Sequence, residues 1–196
     1  NQASSPVTGA DAMAVFLTQG ALDRDAFNTR LEALLEAAPT LPDQTSGRHR
    51  LLLIGSAVDD IGFMEEIEGE RAVVVGDNLC VGMRPPETLV EPGDDPVRAL
   101  AAHYLERCRC PRMFGDFSRR KADLAALAEA GDVRGVVFQN IRFCDLHGSE
   151  NGLLERAFEK AGLPCLRLER EYGVLAETGR LRMRLAAFME RLDSRG

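Results

Sequence analysis

Gly135-Val136-Val137-Phe138, followed by Gln139-Asn140-Ile141-Arg142-Phe143-Cys144-Asp145-Leu146-His147, is the stretch that decides the fold. Four apolar residues run into a polar, reactive loop that reaches Asn151, and a helical pattern then extends from Glu150 to Ala161. An apolar run this short and this continuous suits a strand buried on both faces, as in a parallel sheet. Three further runs have the same character: Leu51–Ile54, Ala72–Val75 and Cys165–Leu168. Helical patterns separate them, at Asp59–Glu68, Pro96–Arg107 and Phe117–Ala130, and Ala176–Leu192 follows the last. Strand–helix alternation is the mark of βαβ units with right-handed crossovers. The expectation is an α/β fold: a four-stranded parallel sheet of flavodoxin or Rossmann type, with helices on both faces.

Residues 1–48 stand apart from this pattern. Two helices are expected, Ala10–Leu17 and Arg24–Ala38, broken at Gly20, and Phe27, Leu31, Leu34 and Leu35 recur in the second at helical spacing. Pro39, Pro42 and Asp43-Gln44-Thr45-Ser46-Gly47 then read as a linker. The expected division is a helical extension or linker at 1–48, packing on the following domain or on a missing upstream one, and an α/β domain at 49–196.

The chain has 196 residues, 45% hydrophobic and 28% charged, enough to bury a core without disulfides or a structural metal. A net charge of −7 argues against nucleic acid, which needs a basic face. No apolar run reaches the roughly 20 residues of a membrane span, and Asn1 to Ala10 lacks the features of a signal peptide. A cytoplasmic protein is expected.

Ligands of open parallel sheets sit outside the carboxyl ends of the strands. That rule selects four loops: Gly55–Asp60, Gly76–Arg84, Gln139–Asn151 and Glu169–Gly173. Ser56, Cys80, Cys144 and Glu169 thereby share one rim. Cys144-Asp145-Leu146-His147 brings a thiol, a carboxylate and an imidazole together between a strand and a helix, where a thiolate is favoured for metal ligation or attack. A buried cysteine with Asp145 or Ser149 capping the helix is the plainer alternative. Cys108-Arg109-Cys110, with His103 upstream, offers two thiols for zinc but lacks a fourth ligand at proper spacing. Cys165 opens an apolar strand and reads as core. Glu65, Glu66 and Glu68 read as a solvated helix face, and Arg180, Arg182 and Arg184 as mainly solvation. No dinucleotide fingerprint or P-loop is present.

An ordered set of segments carries a family resemblance. Val74-Val75-Gly76-Asp77-Asn78-Leu79-Cys80-Val81-Gly82-Met83-Arg84, then Gly135–Phe138 with Arg142-Phe143-Cys144-Asp145, resemble the 2-hydroxyacyl-CoA dehydratase and benzoyl-CoA reductase family. Leu168-Glu169-Arg170-Glu171-Tyr172, Gly179–Arg184 and Ala187-Phe188-Met189-Glu190 resemble that family's C-terminal strand and helix. The match runs from about Arg50 to Leu192, and residues 1–48 match loosely.

The resemblance implies the C-terminal domain of an iron–sulfur subunit with a 4Fe–4S cluster. Cys144 matches a cluster ligand, and the remaining ligands belong to the missing N-terminal half. Cys80, Cys110, Ser56, Asp145, His147 and Glu169 would lie near the site. The implied partners are a related companion subunit, an ATP-hydrolysing iron–sulfur activator that injects one electron, and an acyl-CoA substrate. In dehydratases the thioester becomes a ketyl radical that expels hydroxide; in benzoyl-CoA reductases the electrons enter the ring. The isolated chain is expected to hold no cluster and to be inactive. Two other readings stand beside this one: a flavodoxin-like electron-transfer module, and a zinc protein using Cys108 and Cys110. Against flavin, Gly55–Asp60 offers one hydroxyl and two carboxylates where a phosphate loop needs hydroxyls.

Overall fold

A computed structural model describes residues 5–82, 90–91, 93–106, 110–113, 115–172 and 178–195. Its strands are β1 (His49–Gly55), β2 (Ala72–Asn78), β3 (Gly135–Ile141) and β4 (Cys165–Arg170). All pair in parallel, in the order β2-β1-β3-β4. Around them lie α1 (Gly9–Ala21), α2 (Arg24–Ala37), α3 (Ile61–Glu68), α4 (Pro96–Glu106), α5 (Phe117–Ala130), α6 (Asp145–Lys160) and α7 (Thr178–Asp193). The expected α/β architecture is present. No helix among the described residues is long and apolar enough to cross a membrane.

Burial on both faces explains the continuous apolar strands. Leu51, Leu53 and Val137 point into one core with Met13 of α1, Phe63 and Ile67 of α3, and Phe188 of α7. Leu52, Ile54, Val136 and Phe138 point into the other, against Leu124 of α5 and Leu154 and Phe158 of α6. Alternate side chains of a strand face opposite ways, so a strand sandwiched between helix layers needs apolar residues at every position.

Several local expectations are corrected. Helix α1 runs through Gly20 to Ala21; an isolated helical glycine costs about 1 kcal/mol without forcing a break. The stop comes at extended Leu22, and the carboxylate of Asp23 then caps α2. Strands β2, β3 and β4 extend past their apolar runs, so Gly76–Asn78, Gln139–Ile141 and Glu169–Arg170 belong to strands and not to loops. Backbone pairing there outlasts apolar character. Helix α6 begins at Asp145, five residues before the expected Glu150. Its inward stripe of His147, Asn151, Leu154 and Phe158 is helical in spacing but polar at its start.

Glu68 also departs from the solvated face expected of it. Glu65 is exposed and Glu66 pairs with Arg182 of α7, but Glu68 is only 5% exposed. Its carboxylate accepts hydrogen bonds from the backbone N–H groups of Gly9 (2.7 Å), Ala10 (3.1 Å) and Val74 (2.8 Å). It thus satisfies two of the four N–H groups that a helix N-terminus leaves open and ties α1 to β2 through α3. Burial pushes its pKa above the ordinary 4.5, although the three donors partly offset that push.

The contribution of Glu68 is therefore complete below pH 4.5 and declines as pH rises through the raised folded-state value. In urea titrations, Glu68→Ala is expected to lose on the order of 3 kcal/mol by orphaning buried donors. The stability advantage of wild type over Glu68→Gln should shrink as pH rises from 4.5. A gap independent of pH would show that this carboxyl does not titrate with folding.

Candidate functional site at the carboxyl rim of the sheet

The rim is assembled where β1 and β3 end. Gly55 closes β1 with φ of 152°, and a side chain there would collide with the Gln139 carbonyl. Ser56 follows, buried, and its Oγ accepts from the Ile141 N–H (2.7 Å) and from Gln139 Nε2 (3.2 Å). Gln139, fully buried, also donates to the carbonyls of Ser56 (2.9 Å) and Ala57 (3.2 Å). Arg170, at the end of β4, reaches across to the Ala57 carbonyl (3.0 Å) with its guanidinium over the Phe63 ring. These bonds fix the crevice floor, so Ser56 acts there as a brace between strands. The carboxylate of Asp60 accepts from the Phe63 N–H at the start of α3.

Cys144 is reached through a tight turn. Phe143 has φ of 69°, a left-handed conformation uncommon for a bulky residue, and its ring is 90% exposed. The Cys144 N–H donates to the Ile141 carbonyl (2.9 Å), and the Arg142 N–H to the Arg170 carbonyl (2.8 Å). Cys144 then occupies the cap position of α6 without a side-chain cap bond, its thiol half-buried. Neither Asp145 nor Ser149 caps this helix: Asp145 is exposed within it, and the Ser149 hydroxyl donates to the Leu146 carbonyl. Glu169 lies at the rim in β4, where it accepts from Arg142 Nε (3.0 Å).

Cys80 lies two residues beyond β2, exposed. Its Sγ is 3.8 Å from Nε2 of His147, which is buried in the first turn of α6. The topology therefore sets Cys80, Cys144 and His147 at one end of the sheet. Gly82, with φ of 158°, folds the loop back over Asp77, whose carboxylate occupies the space of any side chain there; Met83 and Arg84 lie outside the described residues. Arg120 was missed by sequence reasoning. Buried in α5, it holds Glu150 of α6 through two hydrogen bonds and donates to the Met113 carbonyl (2.8 Å). Met113 in turn donates its N–H to Cys110 (3.0 Å), so Arg120 links the Cys110 turn to α6. The sequence signal was its spacing with Leu124 and Ala128, which places all three on the inner stripe.

Cys165 is buried, as expected, and donates to the carbonyl of Leu163 (3.5 Å). Burial pushes its thiol up to about 12. Cys108, half of the zinc alternative, lies outside the described residues. Among the described residues, no group of three or more His, Cys, Asp or Glu side chains could hold a metal ion. One thiol, that of Cys144, lies half-buried at the rim, and a cluster held there would need its further ligands from other residues.

A parallel sheet covered by helices on both faces, with two cysteines at its carboxyl rim, defines a doubly wound α/β domain. The chain belongs to the 2-hydroxyglutaryl-CoA dehydratase D-component family, whose model matches residues 1–192. It is 20% identical over 148 residues to the (R)-phenyllactyl-CoA dehydratase beta subunit of Clostridium sporogenes, covering 76% of this chain and 39% of that protein. It is 29% identical over 151 residues to "Putative dehydratase subunit YjiM" of Escherichia coli (strain K12), covering 74% and 38%. The chain spans about two fifths of the length of these relatives.

The brace at the crevice floor gives a ranked expectation. Ser56→Ala should lose about 1–3 kcal/mol by leaving the buried Ile141 N–H without its acceptor. Gly55→Ala should lose more, because the added carbon meets backbone that cannot move aside. Chemical denaturation of both variants checks the order, and Ser56→Ala as the worse of the two would contradict it.

Proposed function

We propose that this chain is the C-terminal domain of an iron–sulfur subunit of an ATP-activated, radical-type 2-hydroxyacyl-CoA dehydratase. The supporting observation is Cys144: a half-buried thiol at the cap of α6, on the ligand-binding rim, in a chain of this family. Thiolates are the ligands that iron–sulfur clusters select. The other ligands come from the part of the subunit that the relatives have and this chain does not span. When bound, the cluster supplies one-electron transfer to the acyl thioester.

The chain's own residues prepare that ligand. Helix α6 starts directly after Cys144, so the positive end of the helix lies against that residue. The brace of Ser56 and Gln139 keeps the end of β3 in place, and with it the turn that aims Cys144. Arg120 and Glu150 fix the start of α6 against α5. Asp145, His147 and Cys80 lie at the same end of the sheet as this ligand. The partners of the whole enzyme are a companion subunit, as the D-component and beta-subunit names of its relatives support, an ATP-hydrolysing iron–sulfur activator, and an acyl-CoA. Dehydration is preferred to ring reduction because both relatives are named dehydratase subunits. The enzyme works in the cytoplasm, and this domain alone is inactive and without a cluster.

The test is made on the full-length subunit, prepared without oxygen. Cys144→Ser keeps the size of the side chain but loses the soft ligand, so iron content and the paramagnetic signal should fall and turnover should vanish. Cys165→Ser should leave the cluster intact, because that sulfur meets only core and backbone. A Cys144→Ser subunit with full iron, an unchanged signal and normal turnover would overturn the assignment.

A further inference from the structure

We propose that Cys80 is a nucleophilic thiol, with His147 as its proton acceptor, and that it forms mixed disulfides with low-molecular-weight disulfides. The inference concerns a different sulfur from the proposed cluster ligand and needs no cluster.

The geometry is that of a nucleophile and its base. Cys80 Sγ and His147 Nε2 lie 3.8 Å apart, within hydrogen-bond reach for sulfur, although 67 positions separate them in the chain. The two partners differ in access. Cys80 is exposed on a loop, whereas His147 is 4% exposed in a helix of 16 residues. The base is thus held in place while the nucleophile stays open to a reagent. The other described cysteines do not combine these properties. Cys165 is buried, Cys110 and Cys144 are half-buried, and no imidazole is placed against any of the three.

A further buried polar group lies on the same face of α6. Asn151 lies one helical turn beyond His147 on the same buried face, and its carbonyl oxygen is buried without a hydrogen-bond partner.

The step balances without any further reactant. His147 accepts the Cys80 proton, and the thiolate attacks one sulfur of the incoming disulfide. The new bond to Sγ forms as the old sulfur–sulfur bond breaks, and the departing thiolate takes the proton from His147. Cys80 is oxidised by the disulfide, which is reduced to one thiol.

The test exposes the reduced chain to oxidised glutathione at pH 7 and follows each cysteine by peptide mass spectrometry. Cys80 should acquire glutathione at least about tenfold faster than Cys110, and Cys165, with its thiol at about 12, should stay free. His147→Gln should bring Cys80 down to the rate of Cys110. Equal rates at Cys80 and Cys110 in the wild type, a His147→Gln variant as reactive as wild type, or label on Cys144 in place of Cys80 would each overturn the proposal. If His147→Gln does not fold, the wild-type comparison decides alone.

Discussion

The close approach of β1 to β3 at their carboxyl ends is the constraint on which the rim depends. Gly55 passes so near the Gln139 carbonyl that no side chain fits, and the next residue bonds back to the end of β3. Gln139 then turns its amide onto two successive carbonyls of the loop after β1. Polar groups buried this deeply must be paired, because an unpaired donor costs about 1–3 kcal/mol. The pairing here joins two strands and the first loop into one unit. The turn carrying Cys144 starts from that unit, so its position is inherited from the sheet.

A second layer of buried charge orients the helices around the sheet. Glu68 takes the open N–H groups of α1 and one edge N–H of β2. On the opposite face Arg120 joins α5 to α6 and collects the Cys110 turn. Removing one partner of such a group leaves a buried charge uncompensated, whereas apolar contacts lose energy gradually. Both contacts join elements distant in sequence, and both give directional restraint to cores that are otherwise apolar. Helix α4 is different: Val97, Tyr104 and Leu105 on it remain exposed.

The sheet was legible because burial on two faces leaves a pattern that single residues cannot blur. Leu51–Ile54 and Gly135–Phe138 are apolar at every position, and turn or charged residues bound them. The rule for open sheets then located the rim without coordinates. What escaped were features fixed by tertiary pairing. Glu68 sits among glutamates that do face solvent or an arginine, and nothing local separates it from them. Arg120 follows Arg119 and precedes Lys121, so composition resembled a solvated patch. The start of α6 was hidden by a polar first turn, and Cys80 meets His147 only through the fold.

Phe143 is where local preference and the native backbone conflict most openly. Turns that need a positive φ usually take Gly or Asn, and a phenylalanine there costs on the order of 1–3 kcal/mol. Burial of the ring does not compensate, since it is 90% exposed. The conformation persists because the bonds of Arg142 and Cys144 to the ends of β4 and β3 over-determine it. Its consequence is directional. A strand continued beyond Ile141 would carry the thiol past the sheet edge, whereas the left-handed step returns the chain and sets Cys144 at the cap of α6. The strain is thus bound to the placement of one sulfur. That gives the turn a functional reading that packing alone does not supply.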